Sequence, residues 1–283
     1  MRIFFIAFIL ITGLATMSQR PPITFHIESV HTSFPDTARA NGHLYNSVLY
    51  YAAAHYSSNA VLIIVPPNFD RHKKATLVFW FHGWRNNIDS AVVRYDLQRQ
   101  FVNAHLNAVL VLAETAKDAP DSYGGKLERP GEFAGLVQDV VAKLKEERIL
   151  RKNDAAGDVV LAGHSGAYRV MAYILQYGQV PVKKVILFDA LYGETDKYIN
   201  WIKENSAHSF INLYTDNGGT DKESKEMIQK LESQSITCDT LEETALTETN
   251  LQQNRIVVAH SLHKHDDIIK QPDNFTLFLK GGQ

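Results

Sequence analysis

Apolar residues along this chain fall into short blocks, and the blocks alternate between two spacings. Residues 24–30 alternate apolar and polar types, as a half-buried strand does. Residues 60–65 are continuously apolar and stop at Pro66-Pro67. Residues 74–81, 107–113, 158–162, 184–188, 209–214 and 255–259 are further strand-length runs. Between them, residues 90–102, 132–150, 167–177, 196–204 and 222–233 carry helical spacing, and residues 274–280 predict a terminal helix. Strands that are apolar throughout belong to a sheet covered on both faces. The order therefore predicts an open α/β domain. Its sheet is mostly parallel and flanked by helices on both faces, with the first two strands antiparallel at one edge. In such sheets the functional groups gather at the carboxyl ends of strands. That rule selects Gly83, Ser165, Asp189, Asp216 and the histidines after Ala259.

The N-terminus changes the expected location. Met1-Arg2 is a short basic start, residues 3–11 are continuously apolar, and Gly13 and Ala15 close the run with small side chains. This predicts a signal peptide over residues 1–18, a secreted or periplasmic protein, and one domain over 19–283. The competing reading is a buried first strand or helix. The run is shorter than the roughly 20 residues of a spanning helix, so no stable membrane insertion is expected after signal removal. The lone Cys238 excludes an intrachain disulfide. The 29 Lys and Arg nearly balance the 31 Asp and Glu, a net charge of -2. Without a basic excess, nucleic acid is not an expected partner.

The candidate chemistry centres on Gly163-His164-Ser165-Gly166-Ala167, which follows a predicted strand and precedes a predicted helix. It resembles the G-x-S-x-G nucleophile elbow of the α/β-hydrolase superfamily, with Ala in the last position. The chain must reverse within one residue there, so small neighbours are needed and the serine hydroxyl stands exposed. Phe79-Trp80-Phe81-His82-Gly83-Trp84 ends an earlier strand and resembles the His-Gly segment that opens the oxyanion loop of that superfamily. On that resemblance the N–H groups of Trp84 and Gly166 form the oxyanion hole, and His82 is a structural hydrogen-bonder.

A serine nucleophile needs a base and an acid to orient it. The resemblance places the base after the last strand, where His260, His263 and His265 stand. His265, just before the terminal helix, fits best. The same three histidines also read as a metal cluster, though no cysteine or firmly placed carboxylate completes one. Two acids are open. Asp189, in Phe188-Asp189-Ala190-Leu191, resembles the acid segment of pancreatic-type lipases and is the favoured choice. Asp216 holds the commoner superfamily position but also sits in a strong turn signal, Asp216-Asn217-Gly218-Gly219.

The resemblance implies a serine esterase that works through an acyl-enzyme without metal or organic cofactor. Val65-Pro66-Pro67-Asn68-Phe69 further resembles the opening of secreted feruloyl and acetyl-xylan esterases, which points to a small-molecule or carbohydrate-linked ester. A peptidase or cell-wall amidase with the same triad, or a catalytically silent binding protein, are the competing functions. Tyr123, Lys126 and Glu128 are candidates for substrate contact or for a self-paired surface loop. Arg169 reads as an anchor for its helix or for the Asp189 region. Residues 24–59 carry no assignable function.

Overall fold

The computed structural model describes residues 20–281, so the export signal predicted over 1–18 lies outside the described residues. The chain begins with β1 (Ile23–Glu28), a hairpin of β2 (His43–Tyr45) and β3 (Val48–Tyr50), and one helical turn, α1 (Ala52–His55). Next come β4 (Ala60–Val65), β5 (Thr76–Phe81), α2 (Ile88–Arg94), α3 (Leu97–Asn103) and β6 (Ala108–Ala113). The alternation continues through α4 (Glu132–Glu146), β7 (Val159–His164), α5 (Tyr168–Tyr177), β8 (Val182–Phe188) and α6 (Thr195–Glu204). It closes with β9 (Ser209–Thr215), α7 (Asp221–Ser233), β10 (Asp239–Glu242), α8 (Glu248–Gln253), β11 (Ile256–Ser261) and α9 (Asn274–Lys280).

Nine strands form one sheet in the order β1-β4-β6-β5-β7-β8-β9-β11-β10. β1 pairs with β4 and β4 with β6 antiparallel, and every other pair is parallel. This is the α/β-hydrolase architecture, with the antiparallel strands at one edge. The register positions the site. Phe81 lies opposite Gly163, His164 opposite Phe188, Phe188 opposite Leu213, and Tyr214 opposite His260. The carboxyl ends of β5, β7, β8, β9 and β11 therefore finish along one rim.

Adjacent strand residues point to opposite faces, and each face has its own core. Phe79, Phe81, Leu161 and Leu187 pack with Phe133 of α4 and Met171 of α5 on one side. Val78, Trp80, Ala162 and Phe188 pack with Tyr95, Phe101, Phe275 and Phe278 on the other. Full burial on both faces explains why these strands read as unbroken apolar runs.

Some elements differ from the pattern. The helix expected over 90–102 is two helices, because Asp96 takes a left-handed φ of 51° between them. The helix expected to reach 150 stops at Glu146, where Arg148 (φ 58°) turns the chain left-handed. Three strands lie outside the runs expected to be strands. The β2–β3 hairpin turns through Asn46 and Ser47, both at positive φ, and β10 is a largely polar edge strand. Among the described residues no helix is long and apolar enough to cross a membrane.

Two tests follow from the packing. A Cβ on Gly163 would meet Met171 Sδ at 2.6 Å, Ala167 Cβ at 2.7 Å and the Phe81 carbonyl at 3.2 Å. Gly163→Val should therefore lose about 2–3 kcal/mol of stability, a fall of roughly 5–10 °C in Tm by calorimetry. The second test concerns Lys184 of β8, which is buried beneath the end of α9. Its amine lies within hydrogen-bonding distance of the carbonyls of Phe278 (2.9 Å), Leu279 (3.4 Å) and Gly281. Burial, and then Lys183 beside it, push its pKa from 10.5 down to about 7. Between those values the unfolded chain holds a proton that the folded chain has released, so stability rises with pH across that interval. Urea titrations from pH 7 to 10 should show this rise in the wild type and a flatter profile in Lys184→Met.

Candidate active site

β7 delivers Ser165 to the rim at φ 54°, a left-handed value that a non-glycine residue adopts only when its surroundings enforce it. The enforcing contacts are close. A Cβ on Gly83 would sit 2.6 Å from Ser165 Cβ and 2.9 Å from the His164 carbonyl. Ala167 is tolerated in the elbow's last position because Gly163, opposite it, has no side chain. After Ser165 the chain makes one 3-10 turn and enters α5, so unpaired N–H groups at the helix start face the serine's surroundings. Gly166 is the first residue of that approach. The Trp84 indole lies against it, with Cδ1 2.5 Å from where a Gly166 Cβ would be. The Trp84 backbone N–H makes no hydrogen bond among the described residues.

Asp189 follows β8 at φ 43° and has no exposed surface. His265 Nδ1 donates to its Oδ2 at 2.6 Å. Thr215 adds its hydroxyl to Oδ2 (2.7 Å) and its backbone N–H to Oδ1 (3.2 Å), and the Thr220 hydroxyl also donates to Oδ1. Burial by itself would raise the Asp189 pKa. The hydrogen bonds from His265, Thr220 and Thr215 outweigh it and hold the carboxyl below its ordinary value. Gly218 passes so near that a Cβ there would run into the carboxylate. The Tyr192 hydroxyl donates to the Gly218 carbonyl and so pins this turn. Burial, and then the Asp189 charge, push that hydroxyl up to about 12, so it stays a neutral donor.

His265 is tied to the serine's own strand. The ring of His164 lies 4.4 Å from the ring of His265, and His164 Nε2 donates to the His265 backbone carbonyl at 2.9 Å. Tyr95 OH donates to His164 Nδ1 at 3.1 Å. Burial, and then the adjacent His265, push the His164 pKa well below the ordinary histidine value. A neutral His164 leaves room for positive charge on His265 alone. The Nε2 of His265 has no hydrogen-bond partner among the described residues, which leaves it available as a base.

The structure thus gathers Ser165, Gly166, Gly83, Trp84, Asp189 and His265 at one rim. It places Asp216 elsewhere: Asp216 Oδ1 accepts from His260 Nε2 at 2.8 Å, while His260 Nδ1 donates to Glu242 at 2.9 Å. Burial opposes charge on His260, but Glu242 and Asp216 outweigh it and hold that pKa above its ordinary value. His263 faces Glu243 at 3.7 Å. The three histidines thus go to three different carboxylate sets, and no group of three or more metal-binding side chains is assembled among the described residues. His82 is buried, donating to the Gly83 carbonyl (2.8 Å) and contacting Glu114 (2.6 Å) and Thr115 (2.9 Å).

The loop residues weighed for substrate contact are occupied with the protein itself. Tyr123 OH donates to Asp36 and Lys126 to the Val30 carbonyl. Arg169 grips Glu128 through two bonds of 2.6 and 2.8 Å, so it anchors α5 to this loop and not to Asp189. Sequence reasoning missed His164, Tyr95, Tyr192, Thr215 and Thr220. The threonines carried a signal: they flank the turn 216–219, whose role is to wrap the acid. Beside Ser165 opens a cavity of about 240 Å3, lined by Trp84, Ser122, Ser165, Gly166, Tyr168 and Tyr192.

No protein-family model matches the chain, and no curated protein does. Solved structures do resemble it. Fluorophosphonate-binding serine hydrolase F of Staphylococcus aureus has 11% identity over 91% of this chain and 99% of its own, with a TM-score of 0.50. A ferulic acid esterase has 11% identity over 78% and 92%, with a TM-score of 0.51. The feruloyl esterase module from Clostridium thermocellum, complexed with sinapinate, has 12% identity over 92% and 96%, with a TM-score of 0.50. At such identities the likeness is one of architecture, and it agrees with the strand order: the chain has the α/β-hydrolase fold.

Proposed function

We propose that this protein is a serine hydrolase that cleaves carboxylic esters. The observation that carries the reading is the buried His265–Asp189 hydrogen bond, set against the strained turn that presents Ser165. Ser165 Oγ attacks the carbonyl carbon while His265 Nε2 takes its proton. The carbonyl oxygen becomes an oxyanion that receives the N–H groups of Trp84 and Gly166. His265 then returns the proton to the leaving oxygen, and the acyl group remains on Ser165. Water, deprotonated by His265, releases the acid by the same steps. Asp189 stays ionised throughout, because its hydrogen bonds favour the charged form. It holds the His265 proton on Nδ1 and stabilises the imidazolium. A neutral His164 supports the base from below.

The short Val65-Pro66-Pro67 resemblance and the feruloyl esterases among the similar folds support a carbohydrate-linked ester as the substrate. Residues 1–18 are proposed as an export signal. N-terminal sequencing of the protein recovered outside the cytoplasm should begin after position 15 or 18, and an intact Met1 there would overturn that proposal.

A fluorophosphonate probe should label the wild type and leave Ser165→Ala unlabelled. Asp189→Asn should slow ester hydrolysis by about 10³–10⁴, since the base then loses its tautomer and orientation. Asp216→Asn, whose carboxylate pairs with His260 and not with His265, should stay within about three-fold of the wild type. Nitrophenyl esters and peptide nitroanilides assayed side by side decide the bond type, and turnover of the peptides alone would sink the esterase reading.

A further inference from the structure

Residues 29–56 pack beside the residues that wall the cavity, and two routes connect them to it. The first is direct. Tyr45 of the β2–β3 hairpin meets the Trp84 indole edge-on, with centroids 5.3 Å apart. The second runs through the loop after β6. Arg39 holds Asp121 through two hydrogen bonds, 2.6 and 3.2 Å, in a fork that fixes both distance and direction. Asp121 also accepts from the Tyr123 N–H at 2.9 Å, which closes a tight turn around Ser122. Ser122 Oγ accepts the Trp84 indole N–H at 2.7 Å. A small apolar cluster fastens the segment to that loop: Phe34 and Tyr56 pack with Ala116 and Ala119.

Trp84 is the wall that these routes hold. Its indole covers Gly166, yet it is 42% exposed, so the main core does not fix its position. The fixed points are Tyr45 and Ser122. The cavity is bounded by Ser165 and by three aromatic rings but not by His265. His265 must reach the leaving oxygen, so the cavity is the place of the acyl group.

We propose that residues 29–56 are a specificity cap, which fixes the Trp84 indole through Tyr45 and through Arg39–Asp121–Ser122 and so sets the acyl group that the enzyme accepts. This rests on the esterase reading above. Tyr45 and Arg39 are positioning residues: they act on the substrate only through Trp84. The hairpin is a separate two-stranded sheet, so Tyr45→Ala leaves the nine-stranded core intact.

The test compares nitrophenyl acetate, butyrate, octanoate and benzoate in the wild type, Tyr45→Ala and Arg39→Gln. Acetate is too small to fill the cavity and should keep its kcat/KM within about two-fold. The best larger ester should lose about ten-fold relative to acetate in both variants, the scale at which a pocket wall discriminates. An equal loss on all four esters, or an unchanged acyl profile, overturns the cap. Fluorescence gives a readout without turnover. Of the three tryptophans, Trp80 and Trp201 are 1% and 4% exposed, so acrylamide quenching reports on Trp84. Quenching should rise in both variants, and unchanged quenching overturns the cap. In Ser165→Ala, benzoate should shield Trp84 from acrylamide, and adding Tyr45→Ala should abolish the shielding. A wild type that takes no fluorophosphonate label, while benzoate shields Trp84 in this way, would defeat the esterase reading and leave the cap standing.

Discussion

The Asp189 carboxylate has no exposed surface, and a charge buried in this way must be met from within the protein or it will not remain a charge. Four donors meet it: His265 Nδ1, the Thr215 backbone N–H, and the hydroxyls of Thr215 and Thr220. They come from the last residue of β9, from the loop that follows it, and from the loop after β11. The carboxylate therefore does more than accept a hydrogen bond from His265. It draws the ends of β8, β9 and β11 to a common point, and the loops between 215 and 220 and around 265 take their shape from it. Removing one partner of such a buried group costs about 3–5 kcal/mol, because the charge left behind has nowhere to go.

The serine side of the site is built by a different constraint, which is space. Ser165 is held in a left-handed conformation because Gly83 and Gly163 let two other segments approach without side chains. The two halves are then locked together by His164. It belongs to the serine's strand, but its ring and its Nε2 are spent on His265. A protonated His164 would repel positive charge on His265, and burial keeps His164 neutral. The elbow's second residue thus links the Ser165 turn to His265.

Much of this was legible from residue order. The blocks at 60–65, 107–113 and 158–162 read as strands because burial on both faces leaves no polar positions to interrupt them. Gly163 to Ala167 read as an elbow because its steric demand is local. The remainder was not written in any short window. Asp96 splits a helix whose apolar spacing runs on past it. β10 has no apolar run, since an edge strand is recognised by its partner β11 and not by its composition. Thr215 and Thr220 looked like the flanks of an ordinary turn, and only their distance from Asp189 shows what the turn encloses.

The choice between the two acids marks the boundary most clearly. Asp189 and Asp216 both follow strands, and both lie at the carboxyl rim. Nothing within a few residues of either says which one faces a histidine after β11. That depends on how far the loops after β9 and β11 reach, and on which of three histidines each carboxylate meets. By itself, the sequence determined the layers, the strand-to-helix alternation and the position of the strained serine, because periodicity and steric fit act over a few residues. The tertiary structure decided the pairing of Asp189 with His265, the diversion of Asp216 to His260, and the route from Arg39 to Trp84. Those depend on distances between segments up to 82 residues apart, which only the folded sheet brings within hydrogen-bonding range.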